Sequence, residues 1–194
     1  AAALRLKKQL ADKQILVDGD HPLFVYLPCG VGGAPGGITL GLKCVFGDAV
    51  HCFFAEPVQS PCMLLGMATG KGDQVCVQDF GLSGKTLADG LAVGRPSELV
   101  ARNMRPLLDG IYTVQDECLP GWMQRLNETE GVIIETSACA CLGGPKILAG
   151  EQGRAWLKQQ GLYEKTAQAT HIVWATGGGL MPEEIRTEYL NLSK

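Results

Sequence analysis

The feature that most limits this chain is an apolar run, Leu23-Phe24-Val25-Tyr26-Leu27. It passes directly into a glycine loop, Pro28–Gly37, and then into a second apolar stretch, Ile38–Phe46. A continuous apolar run of strand length suits a β-strand covered on both faces. Glycines permit positive φ and close backbone approach, so the loop turns tightly from that strand into a helix. Similar strand runs recur downstream. Val50–Ala55 reads as a second buried strand, Cys62–Ala68 as a helix, Gln74–Gln78 as a weaker strand and Ile111–Val114 as a short one. His171–Ala175 reads as the last buried strand and ends in Thr176-Gly-Gly-Gly179. Further helices are expected over Ala1–Leu16, from a Ser97 N-cap to about Leu108, from an Asp116 cap to about Thr129, and through much of Gln152–Gln160. Strands alternating with helices predict an α/β fold: a parallel or mostly parallel sheet flanked by helices, as a single unit over residues 1–194.

Composition narrows the function classes. Glycine supplies 26 of 194 residues, about twice the usual ~7%, and gathers in runs rather than in a collagen period. Apolar residues at 46% and charged residues at 19% are enough for a substantial core, which excludes a disordered chain. A net charge of −3 with no basic stripe argues against a nucleic-acid partner. No apolar run approaches the ~18–20 residues of a membrane span, and no signal-peptide pattern opens the chain. The eight cysteines (Cys29, Cys44, Cys52, Cys62, Cys76, Cys118, Cys139 and Cys141) include no C-x-x-C pair, and only three histidines accompany them. Buried, reduced thiols are the expectation, and with them a cytoplasmic location.

Ligands of open parallel sheets bind beyond the carboxyl ends of the strands, where both glycine runs are expected. Successive N–H groups in a glycine loop, followed by a helix N-terminus, favour an anion, and a phosphate is the expected guest. Two nucleotide motifs compete for it. Gly30-x-Gly32-x-x-x-Gly36, with Glu56 about twenty residues on, approximates a dinucleotide fingerprint and would make the protein a nicotinamide-dependent oxidoreductase. Pro35 opposes that reading, since it stands where the helix should be starting. Gly84-Lys85-Thr86 has the ending of a P-loop, but Asp79 occupies the position of the required glycine. A non-catalytic domain that binds phosphate or a metabolite is a third reading.

Four motifs occur in one order: Pro28-Cys-Gly-Val-Gly-Gly-Ala-Pro-Gly-Gly37; His51-Cys-Phe-Phe-Ala-Glu-Pro57 with Ser60-Pro-Cys62; Thr86-Leu-Ala-Asp-Gly-Leu-Ala-Val-Gly-Arg95; and Trp174-Ala-Thr-Gly-Gly-Gly179-Leu-Met-Pro-Glu-Glu184. Together they resemble the D-serine dehydratase family, pyridoxal-phosphate enzymes of the tryptophan-synthase-β-like fold (fold type II), from about Leu4 to Tyr189. The resemblance implies a lyase that eliminates water from D-serine to give pyruvate and ammonia. Gly30, Val31, Gly32, Gly33 and Ala34 would wrap the cofactor phosphate, Gly90 would approach the ring, and Thr176 would offer its hydroxyl to the ring nitrogen. Ala34 replaces a glycine common in the family yet keeps its amide donor. On the residues alone, Thr176 also suits a helix N-cap and Gly90 the end of a turn. The resemblance further implies a potassium or similar cation held by Glu56, Ser60 and Cys62 with carbonyls of Leu91 and Val93, whereas Glu56 read by itself equally suits pairing with a lysine or capping a helix. Asp79, Asp89 and Arg95 read as structural caps or ion pairs. The family's Schiff-base lysine lies upstream of the glycine loop in a serine-x-lysine setting that none of the lysines here has, so no catalytic residue is assigned. The chain is therefore expected to be the C-terminal portion of the large cofactor-binding domain, inactive without its N-terminal remainder. Nothing in the sequence fixes the oligomeric state.

Overall fold

The computed structural model describes residues 1–179, 181–182 and 184–185. Among them four strands, β1 (Leu23–Pro28), β2 (Val50–Pro57), β3 (Gly110–Val114) and β4 (Thr170–Val173), form one sheet in the order β3-β2-β1-β4. Every pairing is parallel, with Leu23 opposite both Val50 and Thr170, and Phe53 opposite Gly110. All four carboxyl ends therefore share one rim. The crossovers are helical, as parallel pairing demands, and β1 is buried at every position because helices cover both its faces.

Alternation along the strands separates two kinds of core. Leu23, Val25, Leu27, Val50, Cys52 and Phe54 face α1 (Ala2–Asp12), α2 (Gly33–Phe46), α3 (Cys62–Thr69) and α4 (Glu98–Met104) in an aliphatic layer. The opposite face carries Phe24, Tyr26 and Phe53 against Trp156, with His51 and His171 each stacked on Phe24. A third cluster lies under the rim, where α5 (Cys118–Glu130) and α6 (Thr136–Cys139) pack Leu119, Met123 and Ala138 against Ala55, Leu91 and Val114. The helices α7 (Gly144–Leu148) and α8 (Glu151–Gln159) complete the aromatic side.

Several sequence expectations need correction. Residues 74–78 form no strand: Gln74 ends one 3₁₀ turn, Gly72–Gln74, Val77 and Gln78 open a second, Val77–Phe80, and only Val75 and Cys76 between them are extended, with Gly72 and Gly81 at positive φ bounding the stretch. The carboxylate of Asp79 caps the second turn by accepting the Cys76 N–H at 2.7 Å. β4 alternates half-buried and exposed residues and, among the described residues, pairs with β1 alone, so it is an edge strand there and not a buried one. The helix after the glycine loop starts at Gly33, not Ile38, and places Pro35 in its first turn. Proline costs nothing there, since first-turn N–H groups have no intrahelical acceptor. Ser97 precedes α4 but makes no side-chain cap, and its N–H goes to the Val31 carbonyl at 2.9 Å. Asp116 is likewise not the cap of α5. Its carboxylate accepts the Thr86 hydroxyl at 2.5 Å and the Leu87 N–H at 2.7 Å, which ties two loops together. All eight cysteines are free, and Cys29, Cys52, Cys62, Cys139 and Cys141 are buried, whereas Cys44 and Cys118 are exposed.

Candidate functional site

The chain leaves β1 after Cys29, whose N–H makes a last bond to the Ala55 carbonyl at 2.8 Å. Gly32 then adopts φ +101° at the N-cap of α2, and a Cβ there would run into Met63 Cε and Val100 Cγ1. Only glycine satisfies both demands. The helical ladder begins with Gly36 N–H to the Gly32 carbonyl at 2.9 Å. The five preceding N–H groups, Gly30 through Ala34, donate to no acceptor among the described residues. Val31, Gly33 and Ala34 are exposed. Five consecutive free donors at the positive end of a helix of 14 residues form an anion cradle.

Against this loop lies the segment around Gly90. A Cβ on Gly30 would stand 3.2 Å from both the Gly90 carbonyl oxygen and Val93 Cγ2, so the two chains touch backbone to backbone. Gly90 sits in a short 3₁₀ turn, Asp89–Leu91, and its N–H is shared by Asp89 Oδ1 at 2.8 Å and Ser137 Oγ at 2.9 Å. Ser60 Oγ donates to the Val93 carbonyl at 3.0 Å, and the Cys62 thiol to the Gly30 carbonyl at 3.4 Å. Glu56, Ser60, Cys62, Leu91 and Val93 are thus assembled under the glycine loop.

Glu56 is wholly buried at the end of β2. Each carboxylate oxygen accepts one N–H of α3, from Met63 and from Leu64, both at 2.8 Å. The helix-capping reading is therefore the one the geometry bears out. Burial pushes its carboxyl up to about 8, although the two N–H bonds pull the other way. A carboxylate enclosed in this manner cannot reach a ribose, which removes the second half of the dinucleotide fingerprint.

The fourth motif follows β4. Trp174 N–H bonds to the Tyr26 carbonyl at 3.0 Å, so the loop bearing Thr176 leaves the rim beside the glycine loop of β1. Thr176 is exposed, and its hydroxyl has no partner among the described residues. Gly178, at φ +142°, is pressed against Ile134, and the Gly177 carbonyl accepts the Glu135 N–H at 3.3 Å. Leu180 and Glu183 of this motif, and the end of the resemblance at Tyr189, lie outside the described residues. Residues 135–137 were not singled out by sequence reasoning, yet they join the Gly90 and Thr176 loops. The available signal was an acid closing an apolar run, Val132 to Glu135, as Glu56 closes β2. Among the described residues no helix is long and apolar enough to cross a membrane, and no group of three or more His, Cys, Asp or Glu is placed to hold a metal ion. A cavity of about 420 Å³ lined by Tyr26, Phe53, Tyr112 and Trp156 lies on the aromatic face, away from the glycine loops.

A parallel sheet with a helix-terminal anion cradle and, on the adjacent loop, a hydroxyl without a partner among the described residues defines a class. The chain belongs to the pyridoxal-phosphate dependent enzyme family, whose model matches residues 2–156. It is 56% identical over 189 residues to a probable D-serine dehydratase of Geobacillus stearothermophilus, a match covering 97% of this chain and 41% of that protein. A second probable D-serine dehydratase, from Acinetobacter baumannii strain ACICU, is 54% identical over 193 residues, covering 100% and 43%. The chain thus spans about two-fifths of the length of these curated relatives. The fold is that of diaminopropionate ammonia lyase from Escherichia coli, with a TM-score of 0.70 at 22% identity over 98% of this chain and 46% of that one. Maize serine racemase gives 0.66 at 20% identity, covering 97% and 49%. The expected tryptophan-synthase-β-like architecture is therefore the observed one.

Proposed function

We propose that this chain is the phosphate- and ring-binding portion of a longer pyridoxal-phosphate-dependent D-serine dehydratase, which eliminates water from D-serine to give pyruvate and ammonia. The observation that carries this reading is the run of five N–H donors, Gly30 to Ala34, and the hydroxyl of Thr176 on the neighbouring strand's loop, none of which has a partner among the described residues. The identity to proteins named probable D-serine dehydratase supports the substrate.

The residues fit the cofactor. The cradle of Gly30, Val31, Gly32, Gly33 and Ala34 holds a phosphate by amide donors alone, without a charged side chain. Gly90, its N–H held by Ser137, would face the ring with no side chain of its own, and Thr176 would accept or donate at the ring nitrogen. Bound pyridoxal phosphate supplies an electron sink for bond breaking at an amino acid's α-carbon. A threonine hydroxyl is neutral and stabilises a protonated ring less than a carboxylate would, which suits an elimination whose leaving hydroxyl removes the electrons. The lysine that anchors the cofactor, the group facing its phenolic oxygen and the smaller closing domain belong, on this reading, to the remainder of the protein. The free thiols fit a cytoplasmic enzyme.

The same reading includes a potassium ion beneath the glycine loop, with Glu56, Ser60, Cys62, Leu91 and Val93 around it. Its support is the buried Glu56 carboxylate, which has N–H partners but no cationic side chain bonded to it among the described residues. A hard cation among oxygen ligands would offset that charge. A nicotinamide oxidoreductase has lost its support with the burial of Glu56.

The test is the full-length protein containing this chain. It should release pyruvate from D-serine faster than from L-serine or threonine, and borohydride should fix the cofactor to a lysine outside these 194 residues. Tight NAD(H) binding without cofactor absorbance would overturn the class. Binding of inorganic phosphate as tight as that of pyridoxal phosphate would reduce the site to a simple anion cradle.

A further inference from the structure

A second cavity opens on the aromatic side of the sheet. It measures about 300 Å³ and lies between α7, α8, the 3₁₀ turn Tyr163–Gln168 and β4. Pro145, Leu148 and Leu157 give it apolar walls, while Arg154, Tyr163 and His171 supply its polar part. No carboxylate among the described residues lines it. Arg154 donates one N–H to the Ala149 carbonyl at 2.8 Å, and the rest of its guanidinium has no acceptor among the described residues. His171 is fixed by stacking on Phe24 and Tyr26, and its Nδ1 lies 2.9 Å from the Tyr26 hydroxyl. Tyr26 is 1% exposed and its hydroxyl has no other acceptor among the described residues, so it donates to Nδ1. The neutral imidazole therefore carries its proton on Nε2, as a donor. Burial lowers the pKa of His171, which keeps the empty site neutral at that ring near pH 7. The other charged groups nearby are engaged or apart: Lys158 lies over the Tyr163 ring at 5.0 Å, Lys165 pairs with Asp20 at 3.1 Å, and neither Glu151 nor Glu164 pairs with Arg154 or His171 among the described residues.

We propose that this cavity binds an apolar monocarboxylate, a branched-chain or aromatic acid, with its carboxylate on Arg154 and His171 and its body against Leu148 and Leu157. Charge complementarity selects the anion, because a guanidinium and an imidazole N–H are both donors and no acid in the lining competes for them. The volume selects the size: it is at the small end of ligand pockets, ~300–1,000 Å³, and suits one ring or one branched chain. The glycine loop works the other way, with backbone amides and no side-chain charge, so the two sites prefer different anions. A carboxylate beside His171 favours the protonated ring. Binding therefore raises the pKa of His171 and, by linkage, tightens as pH falls. None of this depends on the cofactor reading.

Benzoate and benzamide are the probes, since they share a shape and differ in charge. Calorimetry on the full-length protein containing this chain should show benzoate binding about 3- to 10-fold more tightly than benzamide, the range of one partly screened charged hydrogen bond. Arg154→Gln should remove that preference and leave benzamide affinity unchanged. In proton NMR the His171 ring signal, identified by its loss in His171→Asn, should titrate at higher pH when benzoate is present. Absence of benzoate binding, equal affinity for the two probes, or a benzoate preference that survives Arg154→Gln would each overturn the inference. So would an Arg154→Gln variant that loses both probes alike, by showing a packing role only. Loss of benzoate in Gly32→Ala but not in Arg154→Gln would move the anion to the glycine loop and overturn it as well. Should Arg154→Gln not fold, the wild type alone decides: benzoate affinity should rise from about pH 8 to about pH 6, around the ordinary imidazole range, while benzamide affinity stays level, and a flat benzoate profile would sink the proposal.

Discussion

Glu56 illustrates how a single residue can carry a pH dependence for the whole site. Its carboxyl is raised by burial, to about 8 from an ordinary value of 4.5. A folded state that holds a proton more tightly than the unfolded chain is favoured at low pH, so this contribution is complete below about 4.5 and is lost as pH rises through about 8. Each pKa unit corresponds to about 1.4 kcal/mol. Chemical denaturation of the potassium-free protein should show stability falling over that window, and Glu56→Gln should flatten the fall. Added potassium should flatten it too if the cation is bound; an identical slope with and without the salt would count against the cation site. Gly32 makes a different demand. Alanine there must adopt φ +101° and displace Met63 Cε, so Gly32→Ala should cost about 1–3 kcal/mol and loosen the cradle. Thermal melting together with pyridoxal phosphate titration checks both effects, and unchanged cofactor affinity would mean that the loop tolerates the shift.

At the scale of elements, the amino-terminal end of the sheet is joined by a cluster that no motif announced. Asp109, just before β3, accepts Lys43 Nζ of α2 at 3.0 Å, the Cys52 N–H of β2 at 2.8 Å and His51 Nδ1 at 2.9 Å. Burial pushes its carboxyl up, but the bonds from His51, Cys52 and Lys43 outweigh burial and hold it below the usual carboxylate range. Removing one partner of a largely buried ion cluster leaves the others unpaired, at a cost of about 3–5 kcal/mol. Asp109→Ala should lower the urea midpoint accordingly without changing the cofactor spectrum of the protein that remains folded. The cluster was illegible because Lys43, His51 and Asp109 are far apart in sequence, and their meeting depends on register. Local elements were easier to read. The strand at Leu23, its glycine loop and the second strand at Val50 followed from hydrophobic runs that need no partner to be recognised. Residues 74–78 misled because their apolar spacing satisfies a strand but no neighbouring strand offers a ladder, and glycines at positive φ close the turns instead. Ser97 and Asp116 are typical capping residues by type, yet their local geometry leaves Ser97 without a cap bond and turns Asp116 toward Thr86.

For the molecule as a whole, motif order was the most legible property and site assembly the least. Four motifs in sequence indicated the family, but only the parallel sheet shows that two of them leave adjacent strands on one rim and that a third is pressed beneath the first. Glu135 escaped notice because its significance comes from Gly90 and Gly177 rather than from its own surroundings in sequence. The proposed division of labour has a direct consequence: the 194 residues alone should bind pyridoxal phosphate weakly and release no pyruvate from D-serine. Turnover by the isolated chain would refute the assignment of the catalytic lysine to the remainder.

The edge position of β4 has a practical meaning as well. Among the described residues its backbone is engaged by β1 on one side only, and its side chains at His171 and Val173 are exposed. Open strand borders recruit other strands. The chain prepared by itself should therefore be limited by colloidal behaviour before it is limited by unfolding, with light scattering that grows with concentration well below its melting temperature. A lysine in place of Val173 should suppress that growth, whereas an equal charge placed on the exposed face of α1 should not.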